Sequence, residues 1–368
     1  MQRFKNILLV CDEESLHESL IGRAIWLAKT NAARITLVDV IEATPGELAS
    51  LYGALPGDSA AGESGSSDSG PSGSGYDIEQ EVLAFHKARL AQIGGPIKSE
   101  GIETSEVVLQ GIPFIEIVRR VLRHGHDLVM KGVTEESGGK GLFFAGDDLH
   151  ILRKCPCPVW MMKQGSQPKY ARVLAAVDPD PMDEQRSALD SLVMDLATSL
   201  SAAEGSELHV VNVWHLDGEN ALRHSAFTRV SKETIEKMIE EKRRQSHQKL
   251  KSLLFDYPEI DGPEIDGPET DGPETGGRER QVHLLKGEAR DVIPAFAKSN
   301  NVDLIVMGTV GRTGIRGFFV GNTAESILNQ VECSVLAVKP PGFKTPVQLD
   351  ADPETVVEKL ERRQAGNG

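Results

Sequence analysis

Cysteine is scarce: four residues in a chain of 368, too few for the disulfide framework on which small secreted domains rely. Two of them form Cys155-Pro156-Cys157. One residue separates them where redox and zinc pairs usually carry two, so reduced and mostly buried thiols are expected. Long apolar runs are also missing, and no segment reaches the roughly 18 residues of a membrane span. The opening run Ile7–Cys11 stops at Asp12, too short for a signal-peptide core, which leads to the expectation of a soluble, cytoplasmic protein. Positive charge falls short of negative: 40 Lys and Arg against 55 Asp and Glu leave a formal charge of -15 with no basic stripe. Such a field repels nucleic acid and anionic lipid, so neither is an expected partner. No G-x-S-x-G elbow, HExxH motif or spaced CxxC pair occurs, and nothing singles out a base that could activate water beside a γ-phosphate. His124 and His126 read as a polar helix end rather than a metal site. Neither an enzyme nor a metal centre is expected.

What the chain does contain is itself, twice. Residues 109–163 align without a gap onto 285–339 at an offset of 176 positions. Gly111 falls on Gly287, Asp127 on Asp303, Gly132 on Gly308, Cys157 on Cys333 and Lys163 on Lys339. The length agrees, since two domains of roughly 150 to 180 residues are of ordinary size.

Each half opens with an apolar run, 6–10 and 172–177, that ends at Asp12 or Asp178. Such a run suits a strand buried on both faces. A helical pattern and a second apolar run follow, 35–41 and 208–214. The alternation continues through helices at about 77–93 and 231–255, strands at 106–109 and 281–285, and helices at 114–124 and 291–300. It closes with strands at 127–131 and 303–307, helices at 147–154 and 323–330, and strands at 158–162 and 334–338. Alternating strands and helices make a parallel sheet with helices on both faces. The expected fold is therefore α/β, two tandem five-stranded sandwiches: 1–163, a short linker, 170–342 and a flexible tail, 343–368. Residues 58–75, nearly all Ser, Gly, Asp, Glu and Ala, and 258–277, four acidic pentapeptides punctuated by Pro and Gly, read as flexible insertions.

In the second half the strand 303–307 leads into Gly308-Thr309-Val310-Gly311, then nine residues, then Gly321-Asn322-Thr323. Glycines let backbone approach a ligand and allow consecutive N–H groups to form an anion-binding nest, and the helix after Asn322 adds its own N–H groups. The loop is thus a candidate polyphosphate cradle, with Asn322 as the helix N-cap. The competing reading is a tight strand-to-helix connection with no ligand, and Asp178 reads equally as a helix cap. In the first half Glu135 stands at the position of Gly311 and Ala145-Gly146-Asp147 at that of Gly321-Asn322-Thr323. A carboxylate facing a triphosphate is repelled, so ATP is not expected there. Gly138-Gly139-Lys140-Gly141 lacks the spacing of a Walker loop and reads as a mobile loop.

The glycine pattern, Asp178 at the end of the first strand, Gly287, Asp303-Leu304-Ile305-Val306-Met307-Gly308 and the closing Val338-Lys339 together resemble the universal stress protein family, over nearly all of both halves. The resemblance implies an adenine nucleotide hydrolase-like fold and a stress-response role, in survival of starvation, oxidative or DNA-damaging stress. It implies ATP as the candidate cofactor of the second half, with Asp178 and Val213 beside the nucleoside and Gly308, Gly311, Gly321 and Asn322 along the phosphates. Asn322 replaces the family's Ser or Thr, and Thr323, one position on, is the available hydroxyl. It also implies an internal pseudo-dimer joined through the last strands. A nucleotide-free adaptor acting through protein contacts, or a binder of another small ligand, are the alternatives.

Overall fold

A computed structural model of the chain describes residues 3–12, 16–41, 74–135, 142–143, 146–167, 169–224, 230–260, 282–309 and 321–349. Gly311, the Gly138–Gly141 loop, most of both insertions and the tail from 350 onward lie outside the described residues.

The first repeat contains β1 (Asn6–Val10), α1 (Glu18–Asn31), β2 (Arg34–Ile41), α2 (Ser74–Ser99), β3 (Thr104–Gln110), α3 (Pro113–His124), β4 (Leu128–Glu135), β5 (Leu142–Phe143), α4 (Gly146–Lys154) and β6 (Val159–Lys163). The second contains β7 (Arg172–Val177), α5 (Glu184–Glu204), β8 (Glu207–Trp214), α6 (Glu219–His224), α7 (Lys232–Leu254), β9 (Val282–Lys286), α8 (Ala289–Ser299), β10 (Leu304–Gly308), α9 (Asn322–Leu328) and β11 (Ser334–Val338). Every residue of β1 and β11 is buried, as the uninterrupted apolar runs require of strands covered on both faces.

The chain forms two compact units whose boundary is not that of the sequence repeat. One holds Gln2–Leu16, Ile21–Lys131 and the chain from Val347; the other holds His17–Leu20 and Gly132–Pro346. In the first unit the strand order is β3-β2-β1-β4, all parallel. In the second it is β6-β11-β10-β7-β8-β9, parallel except for β6, which runs antiparallel to β11. The last strand of the first repeat is thus built into the sheet of the second.

The repeats use equivalent residues for equivalent tasks. Asp127 accepts hydrogen bonds from the N–H groups of Lys5 (2.6 Å) and Asn6 (3.0 Å) at the start of β1. Asp303 accepts from Ala171 (2.7 Å) and Arg172 (2.9 Å) at the start of β7. Gly111 and Gly287 adopt φ of 140° and 142°, in the region that L side chains rarely visit. Their N–H groups donate to Ile41 and Trp214, at the ends of β2 and β8.

Several elements differ from expectation. The helix expected over 77–93 begins at Ser74, so Ser74 and Gly75 belong to it rather than to an insertion. It also runs through Gly94-Gly95-Pro96 to Ser99. Gly94 permits this because a Cβ would stand 2.6 Å from Glu106 Oε1 and 3.3 Å from Leu37 Cδ1, while fully buried Ile97 anchors the extra turn. Packing outweighs the weak helix propensity of these residues. In the acidic pentapeptides, Ile260 is buried, so that insertion begins on an anchored segment. β4 runs on to Glu135 and pairs antiparallel with β5, Thr134 opposite Phe143.

Candidate functional site

In the second repeat the chain goes from β7 outward through β8 to β9, then returns to the other side of β7 with β10 and β11. Strand order reverses between β7 and β10, and ligands of open α/β sheets bind beyond the carboxyl ends at such a reversal. Met307 pairs with Ala176 and Val177 with Asn212, so Gly308, Asp178 and Val213 emerge side by side from three adjacent strands. All three keep partial exposure.

The Asp178 carboxylate is half exposed, 3.9 Å from Arg186 Nη1. Its N–H donates to Asp190 Oδ1 at 3.1 Å. The helix cap of α5 is Asp183, which accepts from the N–H groups of Gln185 and Arg186, so Asp178 is not a cap. Asp190, on the buried face of α5, has its pKa raised to about 7 by burial, with the charge of Asp178 adding to the effect. The side chain of buried Asn212 donates to the Val177 carbonyl at 3.0 Å and ties β8 to the end of β7. Asp180 accepts from Lys249 at 3.0 Å and Arg186 at 3.2 Å, and its pKa is lowered chiefly by the Lys249 hydrogen bond.

Gly308 does not adopt positive φ, and its close contact is of another kind. A Cβ there would stand 2.6 Å from Cδ2 of Leu189 on α5. Thr309, fully buried, then closes the loop: its N–H donates to Val338 O and its carbonyl accepts from Gly321 N–H, both at 3.1 Å. Its hydroxyl accepts from Lys339 Nζ, which also donates to Leu152 O. Burial pulls Lys339 down to about 8. Gly321, not Asn322, is the N-cap of α9, and it makes no side-chain cap. Asn322 and Thr323 lie exposed in the first turn of this seven-residue helix. The structure therefore gathers Asp178, Val213 and Gly308 at the strand ends and returns Gly321 to them through Thr309. Asp190, Asn212, Thr309 and Lys339 escape sequence reasoning, although a lone Asp between Leu189 and Val193 on an apolar helix face is a legible signal for the first.

The equivalent position of the first repeat is filled by its own side chains. Lys131, which aligns with Met307, reaches Asp12 at 2.8 Å. Asp39, buried and equivalent to Asn212 by strand register, holds His86 at 2.6 Å and Arg89 at 3.0 Å. Arg89 also donates to the Cys11 carbonyl at the end of β1. A cavity of about 540 Å³, lined in part by Leu90, Ala91, Val107 and Val108, lies between α2 and the edge strand β3. Among the described residues no group of three or more His, Cys, Asp or Glu side chains could hold a metal ion. Nor is any described helix long and apolar enough to cross a membrane.

Fold and strand-end geometry define a duplicated, doubly wound α/β protein. The chain belongs to the universal stress protein family, whose model matches residues 3–163 and again 169–339, and so to a family of stress-response proteins. It is 27% identical over 360 residues to the universal stress protein E of Escherichia coli (strain K12), covering 95% of this chain and 98% of that protein. A protein of unknown function from Pseudomonas aeruginosa PAO1 has the same fold, with a TM-score of 0.59, 21% identity, and coverage of 92% of this chain and 94% of its own. A universal stress protein from Archaeoglobus fulgidus DSM 4304 matches with a TM-score of 0.54 and 17% identity over 91% and 98% of the two chains.

Proposed function

We propose that the second repeat binds an adenine nucleotide, ATP, beyond the carboxyl ends of β7, β8 and β10, and that the protein serves survival of starvation, oxidative or DNA-damaging stress by binding rather than catalysis. Asp178 and Val213 face the nucleoside; Gly308, Gly311, Gly321, Asn322 and Thr323 surround the phosphates. The observation that carries this reading is the contrast between the repeats. Asp178, at the end of the strand paired with β10, stands half exposed with Arg186 no closer than 3.9 Å, while its counterpart Asp12 is held by Lys131 at 2.8 Å. The pairing of β6 with β11 supports reading the chain as an internal pseudo-dimer.

The test combines mass spectrometry of small molecules released from the purified protein with ATP titration calorimetry of the wild type and Gly311→Glu, which copies Glu135. ATP recovered from the wild type, with heat lost in the variant, is the expected result. No bound nucleotide and no heat from either protein overturns it.

One observation favours a second reading, a nucleotide-free adaptor. Asp178, Asp180 and Asp183 crowd the strand ends, with Arg186 and Lys249 engaged to Asp180. Carboxylates so placed oppose a polyphosphate.

A further inference from the structure

The four cysteines fall into two kinds of environment. Cys11 and Cys333 are buried, and burial pushes both thiols up, Cys333 to about 12. Cys155 and Cys157 flank Pro156 in the bend between α4 and β6, with their Sγ atoms 3.5 Å apart. Cys155 is buried and Cys157 partly exposed. Beside them lies the ammonium of Lys339, which interacts electrostatically with both thiols. Burial by itself raises the Cys155 thiol, but the side-chain and backbone hydrogen bonds of Cys157, together with Lys339, bring it below its ordinary value. Thiolate character governs thiol reactivity and favours oxidation where solvent can reach.

We propose that Cys155 and Cys157 are a two-electron thiol switch, closed to a disulfide by a hydroperoxide. Cys157, within reach of solvent, attacks the peroxide, its proton passing to the departing oxygen. An S–O bond forms as the O–O bond breaks, and the departing oxygen takes a proton to leave as water or alcohol. Cys155 Sγ then attacks the sulfenic sulfur of Cys157, the S–S bond forms, the S–O bond breaks, and a water leaves with the proton of Cys155. Two thiols are oxidised and one peroxide is reduced. The sulfurs must close from 3.5 Å to the ~2.05 Å of a disulfide, a short movement within the bend between α4 and β6. Lys339 loses its electrostatic interaction with the two sulfurs on closure and keeps Leu152 and Thr309. The switch thus touches the residue that follows Gly308, and it stands whether or not a nucleotide binds.

The full-length protein is treated with a few equivalents of hydrogen peroxide, denatured, alkylated and digested with trypsin. The expected Cys155–Lys163 peptide is unalkylated and two hydrogens lighter, and dithiothreitol reverses the change. Cys11 and Cys333 remain alkylated throughout. In Cys155→Ser, a sulfenic acid trapped by dimedone at Cys157 is expected. Full alkylation of Cys155 and Cys157 after peroxide, or direct passage of Cys157 to sulfinic acid without a bridge, overturns the proposal. So does a Cys155→Ser protein whose Cys157 stays a thiol.

Discussion

Trp160 pairs with Leu336, the residue 176 positions on that occupies its own place in the second repeat. The flanking pairs, Val159 with Ala337 and Met161 with Val335, exchange under the same offset. The β6–β11 register is therefore symmetric under the repeat at these three pairs. It also gives each last strand a partner along one edge. Trp160 and Leu336 are both fully buried there. Trp160→Ala is expected to cost about 3–5 kcal/mol, read from the denaturant midpoint at unchanged slope.

Gly308→Ala is expected to destabilise the second repeat by about 1–3 kcal/mol, because the new methyl meets Leu189. Leu189→Ala alone leaves a cavity, but the double variant recovers part of the Gly308→Ala loss. A double-mutant cycle with no coupling would show that Leu189 is not the obstacle.

Asp303→Ala removes the acceptor of the Ala171 and Arg172 N–H groups. A loss of about 1–3 kcal/mol is expected, the worth of hydrogen bonds to a charged acceptor whose donors water can in part reach. Asp303→Asn keeps one acceptor oxygen and should fall between this variant and the wild type in thermal denaturation.

Asp190 makes stability depend on pH in a stated direction. Its folded pKa, about 7, lies above the ~3.9 of an unfolded carboxyl, so the native state holds more protons between those values. Its contribution is therefore favourable at low pH and is lost as pH rises from about 4 to 7. Asp190→Asn should stabilise the protein at pH 8 and change little at pH 4. Asp178 and Arg186 face this group and must remain in place. His126, lowered to about 4 by burial with Arg120 adding to it, acts with the opposite sign in the wild type and the variant alike. The difference between their pH profiles from chemical denaturation isolates Asp190.

Much of the fold was legible because buried parallel strands leave a strong pattern. The runs 6–10, 172–177 and 334–338 are strands with those bounds. α2 was truncated by expectation at Gly94 because local propensity speaks against Gly-Gly-Pro, whereas Leu37, Glu106 and Ile97 decide for the helix. Gly308 reads in the sequence as part of a phosphate cradle or a tight connection; its close approach to Leu189 is not legible there, since Leu189 is 119 positions away in the chain. Asn322 had the chemistry of a cap, yet the turn places Gly321 there.

The amino-acid order determined the duplication, the alternation of strand and helix and the glycine pattern of the second repeat, because each rests on local spacing that repeats along the chain. Tertiary structure alone decided that Trp160 and Leu336 meet in the β6–β11 pairing, that Lys131 pairs with Asp12 while Asp178 stays half exposed, and that Lys339 lies beside two thiols. These depend on which distant side chains share a volume, and close packing settles that only once the whole sheet has assembled.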